Sequence, residues 1–171
     1  MQWIESFCDK CAKYLGVIIS FLLILMMVNV AFDTLNRYLM NSNSVALQEM
    51  EWHLFSVIIL LGTSYALSEE GHVRVDIFYT NFSAKKKAII NMIGVITFML
   101  PLSLLVAFGS LGFVEEAYIF MEQSGDPGGL PYRFIIKGLI PTSFFILIFM
   151  SFGYFARNYN LLKRLNSGSK S

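Results

Sequence analysis

Four long apolar stretches follow one another along the chain, and none of them contains a charged residue. They cover residues 15–32, 52–68, 88–114 and 138–156, and are 18, 17, 27 and 19 residues long. A helix that spans the hydrocarbon core of a bilayer needs about 17 to 25 residues. In that core the backbone must satisfy its own hydrogen bonds, and the stretches lack the polar alternation of strands in a closed barrel. The pattern therefore predicts an all-α integral membrane protein with four transmembrane helices.

The segment between the second and third apolar stretches has a helical pattern of its own. Val75, Phe78, Tyr79 and Phe82 are spaced i, i+3, i+4 and i+7. This spacing predicts a short interfacial helix that lies in the membrane surface between helices 2 and 3. An irregular loop is the alternative for this segment.

Single residues mark the expected ends and irregularities of the helices. Ser44 is expected to cap the second helix, Pro101 to kink the third at its centre, and Pro141 to lie in the first turn of the fourth. Residues 1–160 are predicted to form a single four-helix transmembrane domain. Residues 161–171, which end in "RLNSGSKS", are predicted to be a flexible cytoplasmic tail.

The composition agrees with a bilayer environment. Hydrophobic residues make up 56% of the chain and charged residues 15%, whereas an average soluble domain has about 25% charged residues. The net charge is +1, and no basic stripe of the kind that binds nucleic acid is present. We therefore expect contact with the lipid bilayer and none with nucleic acid.

The distribution of lysine and arginine predicts the orientation in the membrane. Ten of these residues lie on one side of the four helices and three on the other. Because cytoplasmic flanks carry the excess of positive charge, both termini are predicted to be cytoplasmic. The residues expected to anchor the chain at the membrane surface are Trp52, Arg74, Phe78, Lys85, Lys86 and Lys87.

Polar residues continue the helical spacing of the first helix beyond its apolar stretch. Asn29, Asp33 and Arg37 follow one another at four-residue intervals, so the opposite charges of Asp33 and Arg37 meet on one face. Near a membrane such a pair faces either water at a helix end or a neighbouring subunit, and the pattern leaves both open. Glu49, near the start of the second helix, is expected just outside the bilayer.

Residues 68–76, "SEEGHVRVD", place three carboxylates and a histidine close together. A metal site usually needs three or four converging ligands. The two histidines of the chain, His53 and His72, are predicted on opposite sides of the membrane and cannot share an ion. A metal site built from this stretch alone is the weaker alternative, and we expect no metal, no cofactor and no catalytic residue.

Cys8 and Cys11 have the C-x-x-C spacing of some redox proteins. Without a second pair or a thioredoxin-like βαβ context, the spacing is a weak signal. The predicted orientation also places both thiols inside the cell, where thiols stay reduced. Two ordinary cysteines on an interfacial helix are the favoured interpretation, and a small membrane redox or quinone-linked enzyme using this pair is the alternative function.

The second, third and fourth apolar stretches offer little material for a transport site. Transporters normally carry polar groups or broken helices at the bilayer midplane. These stretches contain hydroxyl groups, Asn91 and a central proline but no charge, and the chain has no inverted repeat. The pattern is typical of a fixed partner of a carrier and not of a carrier by itself.

The order of these features resembles the small membrane subunit of the tripartite ATP-independent periplasmic (TRAP) transporters. Arg37 follows the first helix, Glu49 opens the second, and "LLGTSYAL" contains Gly62. "HVRVD", from His72 to Asp76, lies at the cytoplasmic end of the second helix, and "GGLPYRFIIKGLIP" enters the last one. The likeness covers residues 15–160. It departs at residues 48–49, which are Gln-Glu where the family often has two glutamates preceded by tryptophan.

This resemblance implies a scaffold in a bacterial inner membrane and not an enzyme. Substrate and sodium would be carried by a separate large membrane subunit, and a soluble extracytoplasmic binding protein would deliver the substrate, often an organic acid. The small subunit would brace the large one. The residues expected to contact the partner subunits are Asn29, Asp33, Arg37, Glu49, His72 and Asp76.

Overall fold

The computed structural model describes residues 2–69 and 82–168. Within these ranges the regular structure is helical. The α-helices are α1 (Gln2–Met40), α2 (Val45–Ser68), α3 (Ala84–Gly94), α4 (Leu100–Gly109), α5 (Leu111–Ile119) and α6 (Arg133–Gly168). A π-helical turn, Val95–Met99, joins α3 to α4. The interfacial helix predicted around Phe78 falls largely on residues 70–81, which lie outside the described residues.

Among the described residues, four segments are long and apolar enough to cross a membrane, which confirms the predicted all-α architecture. They are Trp3–Met40, Val45–Ser68, Ala84–Ile119 and Arg133–Asn166. The third span consists of α3, the π-helical turn, α4 and α5 in succession. Each span extends beyond its uncharged stretch, because a helix can continue through the headgroup region with polar side chains in its turns. The orientation of the spans stays a prediction.

The ends of α6 differ from what the sequence suggests. The helix begins at Arg133, so Pro141 lies inside it and not in its first turn. The expectation was wrong because the helix includes two charged residues before its apolar stretch. Arg133 and Lys137 are each paired with a carboxylate of the same chain, so their charges are compatible with the first turns of the helix. At its other end α6 continues to Gly168, and the predicted flexibility of residues 161–171 stays a prediction.

Ser44 caps α2 as predicted. Its side-chain oxygen accepts a hydrogen bond from the amide of Leu47 at 3.5 Å, which satisfies one of the free donors of the first helical turn. The preceding helix ends at Met40, and the next residue, Asn41, has a left-handed φ of 48°, a conformation that asparagine tolerates better than most residues. The turn between α1 and α2 is therefore short, and it holds the two helices side by side.

The third span is irregular immediately before Pro101. The amide of Leu100 donates to the carbonyl of Val95, five residues back, which is the π-helical pattern. Proline has no N–H and its ring clashes with the preceding turn, so the regular ladder cannot run through it. Single π-helical turns of this kind accommodate one additional residue in a helix. The irregularity predicted at Pro101 thus takes the form of a wider turn on its N-terminal side.

α6 is the central helix of the bundle and contacts each of α1 to α5. Small side chains fill many of these contacts. Those that are at most 2% exposed are Ala12, Ser64, Ala88, Ser103, Ala107, Ala117, Ser143, Ser151 and Ala156. Lipid tails are as apolar as leucine, so helices in a membrane associate through close packing, for which small residues are suited. The main apolar cluster joins α1, α2, the π-helical turn and α6 around Cys8, Leu67, Val95 and Met150.

We predict that Gly153→Ala destabilises the bundle by about 1 to 3 kcal/mol, the usual cost of overpacking. A methyl group at this position would overlap the side chain of Cys8, so α1 and α6 would have to separate. Gly94→Ala is the matched control, because nothing lies within 4 Å of its added carbon. The measurement is thermal unfolding of the purified protein in detergent, and equal midpoints for the two variants would contradict the prediction.

Candidate functional site

A buried carboxylate holds one end of the bundle together. Glu49, in the second turn of α2, is 5% exposed. Its Oε1 accepts hydrogen bonds from the hydroxyl of Ser124 at 2.5 Å and from the guanidinium of Arg133 at 3.4 Å. Its Oε2 accepts from the amide of Leu130 at 2.5 Å. We call Glu49 with these three partners the Glu49 clamp.

The loop between α5 and α6, residues 120–132, is shaped to reach the clamp. The amide of Ser124 donates to the carbonyl of Leu130 at 3.2 Å, and the amide of Arg133 donates to the carbonyl of Glu122 at 2.9 Å. Gly129 lies so close to Ser124 and Glu49 that no side chain fits there. Gly128 has a φ of 84°, which glycine adopts at little cost. The loop is therefore closed on itself before it meets Glu49.

Two cations on the first turns of α6 complete the site. Arg133 lies over the ring of Trp52, with 5.6 Å from its guanidinium carbon to the ring centroid. Lys137 pairs with Glu122 and lies 3.8 Å from the centroid of Phe113. Each cation thus has a carboxylate and an aromatic face as neighbours, and both contacts are favourable in a partly dehydrated setting. Trp52 is 40% exposed, as expected of a residue at the membrane interface.

Sequence reasoning singled out Glu49 but not its partners. Ser124, Leu130 and Arg133 lie more than 70 residues further along the chain, and nothing in the spacing of polar residues indicates this pairing. The available signal was the glycine-rich loop "SGDPGGLPYRF", since adjacent glycines often mark a close approach of backbone to another group. A single acidic residue near a helix start gives no such indication.

The polar residues of α1 lie beside the start of α2. The side-chain amide of Asn29 donates to the carbonyl of Leu47 at 3.0 Å. Asp33 is 1% exposed and pairs with Arg37 on the next turn, whereas the side chain of Arg37 is 50% exposed. The second carboxylate oxygen, Oδ1 of Asp33, has no hydrogen-bond partner among the described residues. Asn29 and Asp33 thus act within the chain, and Arg37 faces outward.

The remaining predicted residues divide into two groups. Lys85 and Lys86 are exposed in the first turn of α3, with Lys87 partly covered, and the helix is capped by Ser83, whose side chain accepts from the amide of Lys86. These positions suit the predicted anchoring at a membrane surface. The predicted residues that lie outside the described part of the chain are His72, Arg74, Asp76 and Phe78.

The two cysteines lie in the body of the bundle. Both are free thiols, and Cys8 is 4% exposed against Gly153 of α6. Cys8 therefore fills space between α1 and α6. Among the described residues, no group of three or more His, Cys, Asp or Glu side chains is arranged to hold a metal ion.

Taken together, the clamp, the Lys137–Glu122 pair and the Asn29 contact join α1, α2, the 120–132 loop and α6 at one end of the bundle. The bonds that these polar groups make are to other groups of the same chain. The chemistry of such an arrangement is structural: it fixes the relative positions of the helix ends.

We predict that Glu49→Gln lowers the stability of the protein by roughly 3 kcal/mol, the scale for breaking a buried charged contact. In the amide an NH2 group replaces one carboxylate oxygen, and it then faces either the donating N–H of Leu130 or the guanidinium of Arg133. Glu51→Gln, two residues further along α2, is the control and should change stability by less than about 0.5 kcal/mol. Thermal unfolding in detergent measures both.

A second pair of variants tests the clamp without altering its charge. Gly129→Ala would place a methyl group 2.8 Å from Oε2 of Glu49 and closer still to Ser124, so it should lower the unfolding temperature as Glu49→Gln does. Gly125→Ala, in the same loop, meets nothing within 4 Å and should be neutral. If Gly129→Ala and Glu49→Gln both unfold like the wild type, the clamp does not hold this end of the bundle.

Comparison with known proteins places this architecture in a family. The family described as "Tripartite ATP-independent periplasmic transporters, DctQ component" matches residues 14–161, which overlap each of the four spans and include the Glu49 clamp. No curated protein and no solved structure shows a significant match. The family is one of transporter subunits and not of enzymes. Since the match extends over most of the sequence, the chain belongs to the DctQ family of TRAP transporter small membrane components.

Proposed function

We propose that this protein is a non-transporting scaffold subunit of a sodium-coupled TRAP uptake system for an organic acid. In this role it braces the large, elevator-type membrane subunit and helps to dock the soluble extracytoplasmic substrate-binding protein. The proposed location is the bacterial inner membrane, crossed four times, with both termini in the cytoplasm. Family membership supports the transporter context. The bonding of polar groups within the chain supports a role in which another subunit carries the substrate.

The observation that carries the proposal is that Asn91, Asn158 and Ser151, polar residues inside the described spans, bond to their own chain. Asn91 of α3 donates to Asn158 of α6 at 2.9 Å, and Asn158 in turn donates to the carbonyl of Tyr154. The buried hydroxyl of Ser151 donates to the carbonyl of Leu147 at 2.7 Å. A coupled ion site requires charged side chains or unwound carbonyls near the midplane. These side chains are instead used to join helices or to bond their own backbone.

The irregular turn of the third span does not supply such a site. Its residues are "VITFM", and the hydroxyl of Thr97 donates to the carbonyl of Ile93 at 2.8 Å. A wide turn lined by apolar side chains faces lipid or protein without attracting an ion. This feature favours a partner that carries the substrate over transport by this chain.

The surface offered to the partner subunits is a separate part of the proposal. Arg37 presents its guanidinium at the end of α1, where a carboxylate of the large subunit would be a suitable neighbour. The 120–132 loop exposes Phe120, Met121 and Tyr132 on a backbone that the Glu49 clamp holds in place. In the predicted orientation this loop faces outward, where a soluble binding protein would dock. His72 and Asp76 remain proposed contacts at the other end of the second helix.

We predict that the purified protein transports nothing by itself in sealed vesicles. Uptake of an organic acid driven by a sodium gradient should require this chain, the large membrane subunit and the binding protein together. Omitting this chain should reduce uptake to the level of empty vesicles. Sodium-dependent uptake by this chain alone, or full uptake without it, would show that the scaffold assignment is wrong.

We predict that Arg37→Ala lowers co-purification of the large subunit. The same change also leaves the buried carboxylate of Asp33 without its cation, which lowers the stability of the chain itself. The double variant Arg37→Ala/Asp33→Asn removes that internal cost and should still bind the large subunit poorly. Recovery of the complex in the double variant would mean that Arg37 acts only on Asp33. Lys85→Ala, in the first turn of α3, is a control for loss of a surface charge.

A further inference from the structure

An apolar groove runs down the side of the bundle between α2 and α6. Its volume is about 480 Å³, and it is open towards the surroundings of the protein. One face of each helix lines it. Trp52, Phe55 and Ile59 of α2 are spaced by three and four residues, and Ile136 and Ile140 of α6 are spaced by four. Because both helices begin at the end that carries the Glu49 clamp, the groove has a defined mouth at that end.

The mouth of the groove is polar. Arg133 and Lys137 line it together with Trp52, at the first turns of α6, where the partial positive charge of the helix N-terminus adds to theirs. A guanidinium carries five N–H donors and an ammonium three. One donor of Arg133 is directed to Glu49 and one of Lys137 to Glu122. Nε of Arg133 is buried and has no hydrogen-bond partner among the described residues.

The carboxylates near the mouth leave room for a further anion. Glu49 is enclosed by the hydroxyl of Ser124 and the amide of Leu130 as well as by Arg133, so its charge is already shared among three donors. Glu122 is turned to Lys137. An acceptor that approaches from the bilayer therefore meets cationic side chains beside an aromatic ring, the arrangement that favours headgroups at a membrane interface.

The length of the groove along the helices decides which occupant fits. From Trp52 to Leu60 the α2 side of the groove is about 12 Å long, at 1.5 Å per residue. One leaflet contributes about half of the roughly 30 Å hydrocarbon core. A transmembrane helix of a partner would cross the whole core and is itself about 10 to 12 Å wide, whereas the acyl chain of a lipid ends within one leaflet. The length of the groove therefore matches an acyl chain better than a transmembrane helix.

We propose that this groove is a specific binding site for one phospholipid of the surrounding bilayer. The phosphodiester accepts hydrogen bonds from Arg133 and Lys137, and one acyl chain lies along Phe55, Ile59 and Ile140. The bound lipid covers the apolar side of α2 and α6 and takes up donors that the Glu49 clamp does not use. The site is formed by this chain alone, so the proposal does not rest on the assignment of the large subunit.

The test uses the full-length protein in mild detergent and native mass spectrometry. At a few molar equivalents of palmitoyl-oleoyl phosphatidylethanolamine or phosphatidylglycerol, we expect a saturable complex with one lipid. The corresponding diacylglycerol, which lacks the phosphate, should not form it. Ile59→Trp fills the groove and should reduce the fraction with one lipid about tenfold, whereas Leu105→Trp, on an exposed position of α4, should retain it. Ile140→Trp fills the groove from α6 if Ile59→Trp fails to fold.

Headgroup variants separate phosphate recognition from apolar binding. Lys137→Gln should weaken lipid binding by about tenfold or more, the effect of one charged hydrogen bond, and Lys137→Arg should restore it. Equal lipid retention in both groove-filling variants, or equal binding of diacylglycerol, would overturn the proposal. So would a result in which both groove-filling variants keep the lipid but lose the large subunit, because the groove would then be a site for a partner helix.

Discussion

The carboxylate of Glu49 is the interaction on which the arrangement of this end of the bundle depends. It lies near the start of α2 and bonds a loop amide and the first residue of α6, both of which lie more than 70 residues further along the chain. A buried carboxylate is costly unless its oxygens are fully bonded, and here both oxygens are. The same contact sets where α6 begins, because Arg133 is bonded to Glu49 through its side chain and to Glu122 through its amide. The loop, the groove mouth and the proposed docking surface all lie around this one group.

The hydrophobic pattern was sufficient to predict the four spans because the bilayer imposes a minimum length and a regular backbone on any segment that crosses it. The cap at Ser44 was predictable for a similar reason, since its hydrogen bond is local. Pro141 was misplaced because helix ends near a membrane surface depend on pairing with distant residues. Arg133 and Lys137 look like loop charges in the sequence and become helical once Glu49 and Glu122 meet them.

The site was predictable only in part. Asn29, Asp33, Arg37 and Glu49 stand out because polar residues are expensive near hydrocarbon, but the sequence does not say which neighbour satisfies each of them. For Asn29 and Glu49 the neighbour belongs to the same chain. Intramolecular bonding of this kind favours a rigid end of the bundle, and rigidity is the property that the proposed role as a brace beside a moving subunit requires. Among the predicted contacts with partner subunits, Arg37 is the one whose side chain is half exposed in this chain, and the whole set stays a prediction.

The π-helical turn at Val95–Met99 sets the rotational phase of the third span. At about 100° per residue, a regular helix would turn Ser103 and Ala107 roughly 60° and 100° away from the direction of Ala88. The additional residue of a π-helical turn cancels this drift and returns both side chains to within about 40° of that direction. Ala88, Ser103 and Ala107 are all at most 1% exposed, so the wider turn is what allows one helix to present a continuous small-residue face to α6 on both sides of Pro101.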